Sequence, residues 1–285
     1  MKIEGKFYEK YKDKIHCYLC PHHCIIEDGS YGKCKARIHE GGVLYSINYG
    51  EVTSIALDPI EKKPLHYYKP GSYILSIGSF GCNFTCSFCQ NYQISQYKHQ
   101  STYVSKENMV ETILGTKNNI GIAFTYNEPS IWYEYVYDMA KHLKETHPAS
   151  SVVLVTNGFI NEEPLRELLP YIDAMNIDLK SFNNDYYKEL CGGRIQPVLK
   201  SIELAATSCH VEITTLLVSG ENDNMEEIKK ISEFISSINS DIPLHITRYF
   251  PNYRLNNPPT DKRIMYEAEK IAKKYLSHVK LGNIY

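Results

Sequence analysis

From residue 72 onward the chain repeats one pattern, and that pattern constrains the fold more than any other feature of the sequence. Short apolar runs, several rich in β-branched residues, recur at residues 73–77, 120–124, 152–155, 174–177, 212–218 and 244–247. Their length and continuous apolarity suit strands buried on both faces, as in a parallel sheet. Amphipathic stretches separate them. Ile131, Trp132, Tyr135, Val136, Met139, Ala140 and Leu143 recur at near-helical spacing on one face, and residues 225–238 and 262–276 read the same way. These aromatic and methionine stripes are read as core rather than as cofactor contacts. Strands alternating with helices predict an α/β fold with a parallel sheet. In such folds ligands gather at the carboxyl ends of the strands, so polar motif residues should fall just after the apolar runs.

They do. After the first run, Cys82, Cys86 and Cys89 stand at a C-x3-C-x2-C spacing. Iron–sulfur clusters are held by cysteine thiolates, usually four. Three thiolates on a four-iron cubane leave one iron open, and an open metal position can bind and activate a small molecule. A zinc site would want a fourth ligand, and the nearest histidine, His99, lies ten residues past Cys89. The second run ends in Thr125-Tyr126-Asn127-Glu128-Pro129, and the third in Thr156-Asn157-Gly158-Phe159. The fourth leads into Asp178-Leu179-Lys180, whose charged residues alternate onto one face. The fifth leads into residues 218–223, and the sixth carries His245 and then Arg248-Tyr249-Phe250-Pro251. Each has a plain structural alternative: Asn127 or Glu128 as a helix cap, Asn157-Gly158 as a turn, Asp178 with Lys180 as a surface ion pair, His245 as a hydrogen-bonded core residue. Cys191 and Cys209 are isolated and read as inert buried thiols.

Residues 1–50 form a segment of different character. Cys17, Cys20, Cys24 and Cys34 follow a C-x2-C-x3-C-x9-C pattern, Pro21 stiffens the first knuckle, and Gly29, Gly32, Gly41 and Gly42 mark turns. Four thiolates so spaced suit a tetrahedral site, either zinc or an iron–sulfur cluster, and His16, His22 or His23 could replace one of them. So short a segment with few large apolar residues needs such a staple to fold. The expected organisation is therefore a cysteine-rich metal-binding segment at 1–50 and the α/β body at 51–285. Residues 43–47 read as a strand, and Asp58-Pro59-Ile60-Glu61-Lys62-Lys63-Pro64-Leu65 as a charged loop, either solvated or functional. The 285 residues carry a formal net charge of −2, which favours neither nucleic acid nor membrane. No run reaches the roughly 18 apolar residues of a membrane span, and residues 1–14 lack the apolar centre of a secretory signal. Seven of the nine cysteines fall in two tight clusters, which points to metal ligation in a reducing, cytoplasmic setting rather than to disulfides.

With these residues in view, the chain resembles the radical S-adenosylmethionine (SAM) enzymes. Cys82, Cys86 and Cys89, with Phe88 before the last, match that signature. The string from Ser76 to Phe84, followed by Cys89-Gln90-Asn91, is similar to the pyruvate formate-lyase-activating-enzyme group, and within it to the radical SAM member of the AmmeMemoRadiSam system. The similarity runs from about Cys17 to about Asn283. It implies a partial (β/α)6 TIM-type barrel and a [4Fe-4S] cluster whose open iron chelates the amino and carboxylate groups of SAM. It also implies reductive cleavage of SAM to methionine and a 5′-deoxyadenosyl radical that takes hydrogen from a substrate. By the same resemblance Asn127 and Glu128 meet the SAM amino group, Thr156 and Asn157 lie beside SAM, and Asp178 and Lys180 hold its methionine and ribose parts. Residues 218–223 lie near the adenine, His245 contacts SAM, and Arg248 faces the substrate. Some members carry an aspartate for a monovalent cation where this chain has Val155, whose side chain cannot coordinate one. Many continue past the equivalent of Leu281 into a Cys-Pro-x-x-Cys tail that this sequence lacks. Expected partners are a low-potential electron donor, AMMECR-type and Memo-type proteins, and a small-molecule or protein substrate. The alternatives are a glycyl-radical-enzyme activase and, from another class, a non-catalytic zinc-binding adaptor.

Overall fold

A computed structural model describes the chain from Met1 to Ile284 apart from Lys98 and His99; His99 and Tyr285 thus lie outside the described residues. Its centre is one eight-stranded sheet. Strand β1 (Ser54–Pro59) runs antiparallel to β2 (Tyr73–Gly78). Six further strands follow, all parallel to β2: β3 (Asn119–Phe124), β4 (Ser151–Thr156), β5 (Ala174–Asp178), β6 (His210–Leu217), β7 (Leu244–Arg248) and β8 (Val279–Gly282). The order across the sheet is the order along the chain, and β1 and β8 form its two edges, so the barrel is partial. All six apolar runs are strands. The sequence reading missed the edges. β8 has only four residues and includes an exposed lysine, and β1 leaves Ile55 52 % exposed, so neither has the buried continuous run of a central strand.

Helices α1 (Lys106–Gly115), α2 (Tyr133–Thr146), α3 (Glu162–Leu168), α4 (Gln196–Ala206), α5 (Met225–Ile238) and α6 (Lys262–Ala272) connect the strands. Their starts are set locally: Ser105, Asn224 and Asp261 each accept a hydrogen bond from a backbone N–H of the first turn of α1, α5 and α6. Helix α2 buries Tyr133, Tyr135, Val136, Met139, Ala140 and Leu143, and each large side chain so buried contributes about 1.5–3 kcal/mol. None of the helices among the described residues is long and apolar enough to cross a membrane.

The amino-terminal segment forms two small antiparallel sheets. Ile3–Glu4, Val43–Ser46 and Arg37–Glu40 make one; Tyr8–Tyr11, Lys14–Cys17 and Cys24–Ile26 make the other. A buried ion pair between Arg37 and Glu134 of α2 joins this segment to the body. Removing one partner of such a pair costs about 3–5 kcal/mol. Residues 60–69 close one mouth of the partial barrel. Ile60 and Leu65, both fully buried, pack against Ile74, Ala123, Val153 and Ala174. The backbone N–H groups of His66 and Tyr67 donate to the buried carboxylate of Glu212 at 3.0 and 2.8 Å. The stretch expected as a charged loop is thus part strand, Ser54–Pro59, and part barrel floor.

Candidate active site

A cavity of about 840 Å³ occupies the barrel, and the ends of successive strands line it. Cys82, Cys86, Phe88 and Cys89 face it from the loop after β2. That loop is pinned from several sides. Gly81 takes a φ of +87° and packs so closely that an added Cβ would stand 2.6 Å from the Cys34 carbonyl oxygen, so glycine is required there. Asn127, just past β3, accepts from Ser79 N–H at 2.9 Å and donates to the Gly81 carbonyl at 3.1 Å. Asn157 Nδ2 donates to Asn83 Oδ1 at 2.8 Å and stands 3.7 Å from Cys82 Sγ, while the Phe84 N–H donates to the same sulfur at 3.3 Å. Hydrogen bonds to ligand sulfur are among the determinants of a cluster's potential. The other flank is held by the turn before α4: Thr85 N–H donates to the Cys191 carbonyl and Ser87 N–H to that of Leu190. Cys191, expected as an isolated thiol, is buried beside Cys86.

Glu128 is 2 % exposed and lines the cavity. Its carboxylate accepts from Ser130 N–H, Thr156 Oγ1–H and Asn157 N–H at 2.9, 2.6 and 2.8 Å. It is therefore the expected cap, and it also joins the ends of β3 and β4. Burial pushes its pKa up despite those three donors. Asp178 and Lys180 form an ion pair of 2.8 Å on the cavity wall. Burial would push the Lys180 ammonium down, but the charges of Asp178 and the Cys86 thiolate more than reverse this and raise it. His245 lines the cavity and bonds through Nε2 to Glu212 Oε2 at 2.6 Å. Val155 lines it as well. Arg248 does not. Its Nε donates to the Thr260 carbonyl at 2.7 Å and its guanidinium stands over the Phe250 ring.

Three features of the site were given no role of their own in the sequence reading, although Lys63 lies in the stretch read as solvated or functional and Tyr126 in the string after the second apolar run. Lys63 and His66 of the floor line the cavity. Tyr126 holds a φ of +69°, a strained value for an aromatic residue. Asn91 bonds its carbonyl at 2.7 Å, and its hydroxyl donates to Asp58 at 2.8 Å. Lys63 pairs with the same carboxylate at 2.9 Å. Burial alone would raise the Asp58 pKa, but the hydrogen bonds from Lys63 and Tyr126 lower it to about 2. Glu212, finally, accepts from His66 N–H, Tyr67 N–H, His210 and His245. Its one legible signal was a carboxylate inside an otherwise apolar strand.

The donor set fits an iron–sulfur cluster. Among the described residues no three His, Cys, Asp or Glu side chains converge closely enough to hold a single metal ion. A cubane does not ask them to, because each thiolate takes a different iron. Cys82, Cys86 and Cys89 edge a cavity with room for more than a cluster, and its remaining polar wall presents carboxylate, ammonium and amide groups suited to a zwitterionic nucleoside. Residues 76–235, more than half of the chain, match the model of the radical SAM superfamily. The chain belongs to the radical SAM superfamily. It is an enzyme family, which sets aside the non-catalytic adaptor. An uncharacterized protein of Methanocaldococcus jannaschii is 40 % identical over 289 residues, covering 99 % of this chain and 85 % of that protein. The pyruvate formate-lyase-activating enzyme of Staphylococcus epidermidis is 26 % identical over 221 residues, covering 69 % and 86 %. The crystal structure of Streptococcus suis SuiB bound to S-adenosylmethionine shares the fold, with a TM-score of 0.56 at 15 % identity over 73 % of this chain and 51 % of that one. The superfamily implies a [4Fe-4S] cluster and SAM.

Proposed function

We propose that this radical SAM enzyme abstracts hydrogen from a substrate not yet identified, as the radical SAM member of an AmmeMemoRadiSam-type system. Its partners in this reading are AMMECR-type and Memo-type proteins and a low-potential one-electron donor, in a reducing cytoplasm. When bound, the cluster supplies the electron that splits SAM into methionine and the 5′-deoxyadenosyl radical. The chain's own residues orient and enclose. Cys82, Cys86 and Cys89 would hold the cluster; Asn127 and Asn157 fix their loop. Glu128 would hold the SAM amino group, and Asp178 with Lys180 its methionine and ribose parts. Thr156 and His245 complete the wall on either side. The floor at residues 60–69 covers one mouth of the barrel and so limits access of water to it, as a primary carbon radical requires. Cys17, Cys20, Cys24 and Cys34 give the chain a second metal centre. The observation that carries the reading is that the three cysteines, Glu128 and the Asp178–Lys180 pair face one cavity.

A second reading, a glycyl-radical-enzyme activase, is favoured by the similarity to a pyruvate formate-lyase-activating enzyme. One experiment separates them. The anaerobically reconstituted enzyme is mixed with dithionite, SAM and either the AMMECR-type and Memo-type proteins or a glycyl-radical enzyme. The proposal predicts that the first pair raises 5′-deoxyadenosine formation severalfold over the enzyme alone. A glycyl-radical doublet in the spin-resonance spectrum of the second mixture, with no stimulation in the first, contradicts it and supports the activase.

A further inference from the structure

The four amino-terminal cysteines come from one hairpin and one later loop. Cys17 ends one strand, Cys24 begins the next, Cys20 lies in the turn between them, and Cys34 follows in a later loop. All four line one small void with Leu19, Ile26 and Ile131. We propose that they ligate a second iron–sulfur cluster of the [4Fe-4S] type rather than a zinc ion; this rests on reading the four cysteines as a metal centre.

The size of the void separates the two. The centre of a water-sized sphere can range over about 10 Å³ within it. A sphere of about 1.4 Å radius cannot come closer than about 3.2 Å to a sulfur nucleus. A zinc ion needs its four sulfurs at about 2.3 Å, which leaves no such space. A void of that size lined by all four thiols is wider than the space a lone tetrahedral zinc leaves between its sulfurs. The spread of the four thiols agrees: no three of them converge on a single point among the described residues. Cys82, Cys86 and Cys89 share that absence of convergence, and they belong to the superfamily's cluster loop. A cubane places each thiolate on its own corner iron, outside a core of irons and sulfides.

The surroundings hold an unpaired donor. Arg37 is 1 % exposed and lines the void; its terminal nitrogen pairs with Glu134, while its Nε–H has no hydrogen-bond partner among the described residues. An unpaired buried donor is costly unless an acceptor is supplied, and ligand sulfur is such an acceptor. The rest of the wall is largely apolar. The site also abuts the first cluster's loop: the Cys34 carbonyl packs on Gly81, and His22, between Cys20 and Cys24, bonds to the Asn83 carbonyl at 2.7 Å. With all four corners ligated, the second cluster has no open iron, so it cannot chelate SAM.

The test uses the full chain with Cys82, Cys86 and Cys89 all changed to alanine, reconstituted anaerobically with iron and sulfide. The proposal predicts about four irons and four sulfides per chain, half the content of the wild type, and a reduced-state spin-resonance signal that SAM does not alter. The wild type should show two signals, of which SAM shifts one. A single zinc with no sulfide, or no metal, in a folded triple variant overturns the proposal. If the triple variant does not fold, the wild type decides: about four irons and a signal wholly shifted by SAM overturn it equally. Neither outcome touches SAM cleavage at the first cluster, which wild-type 5′-deoxyadenosine formation reports separately.

Discussion

Glu212 shows how much one side chain can hold in place here. Both of its oxygens are filled, by His66 N–H and Tyr67 N–H from the floor and by His210 and His245 from the sheet. Burial alone would raise its pKa, but these four donors bring it from 4.5 to about 2. The folded value lies below the unfolded one, so the stabilisation is fully present above about pH 4.5 and is lost as pH falls toward about 2. At neutral pH it is on the order of 2–3 kcal/mol. Glu212→Gln should therefore lower the unfolding free energy measured in urea at pH 7. The gap to wild type should shrink by more than half at about pH 3. A gap that stays constant with pH would show that the carboxylate's charge does not secure the floor.

Among the elements, the turn before α4 does for the cluster loop what residues 60–69 do for the barrel floor. Gly192 adopts a φ of +74°, and a Cβ there would collide with Thr85 Oγ1, next to Cys86. Gly192→Ala strains the turn and crowds the Thr85 side chain of the loop. We expect a loss of about 1–2 kcal/mol in stability and, as the more telling readout, faster loss of iron from the reconstituted protein on dilution into chelator. Iron retention equal to wild type would show that the turn does not support the cluster loop. Neither this contact nor the floor was legible in the sequence, because both join residues far apart in the chain: Thr85 with Cys191, and His66 with Glu212. What was legible depends on neighbours. The spacing of Cys82, Cys86 and Cys89, the Asn-Glu pair after β3 and the Asp-Leu-Lys after β5 are local strings at strand ends. Arg248 shares such a string, yet the chain beyond β7 returns Thr260 to its guanidinium and keeps it off the cavity wall.

Across the whole molecule, the sequential strand order turns one long α/β repeat into a single cavity. Periodicity foretold the six central strands because their burial on both faces leaves an unbroken apolar mark. It passed over β1 and β8 because edge strands carry exposed residues. The amino-terminal sheets fit against the same body through Arg37 and Glu134 and bring a second set of thiols to the flank of the first. The most direct measurement is 5′-deoxyadenosine, determined by chromatography after anaerobic reconstitution with iron and sulfide and addition of dithionite and SAM. The account predicts slow formation by the wild-type chain and none by Cys86→Ala. Equal yields from the two would contradict it.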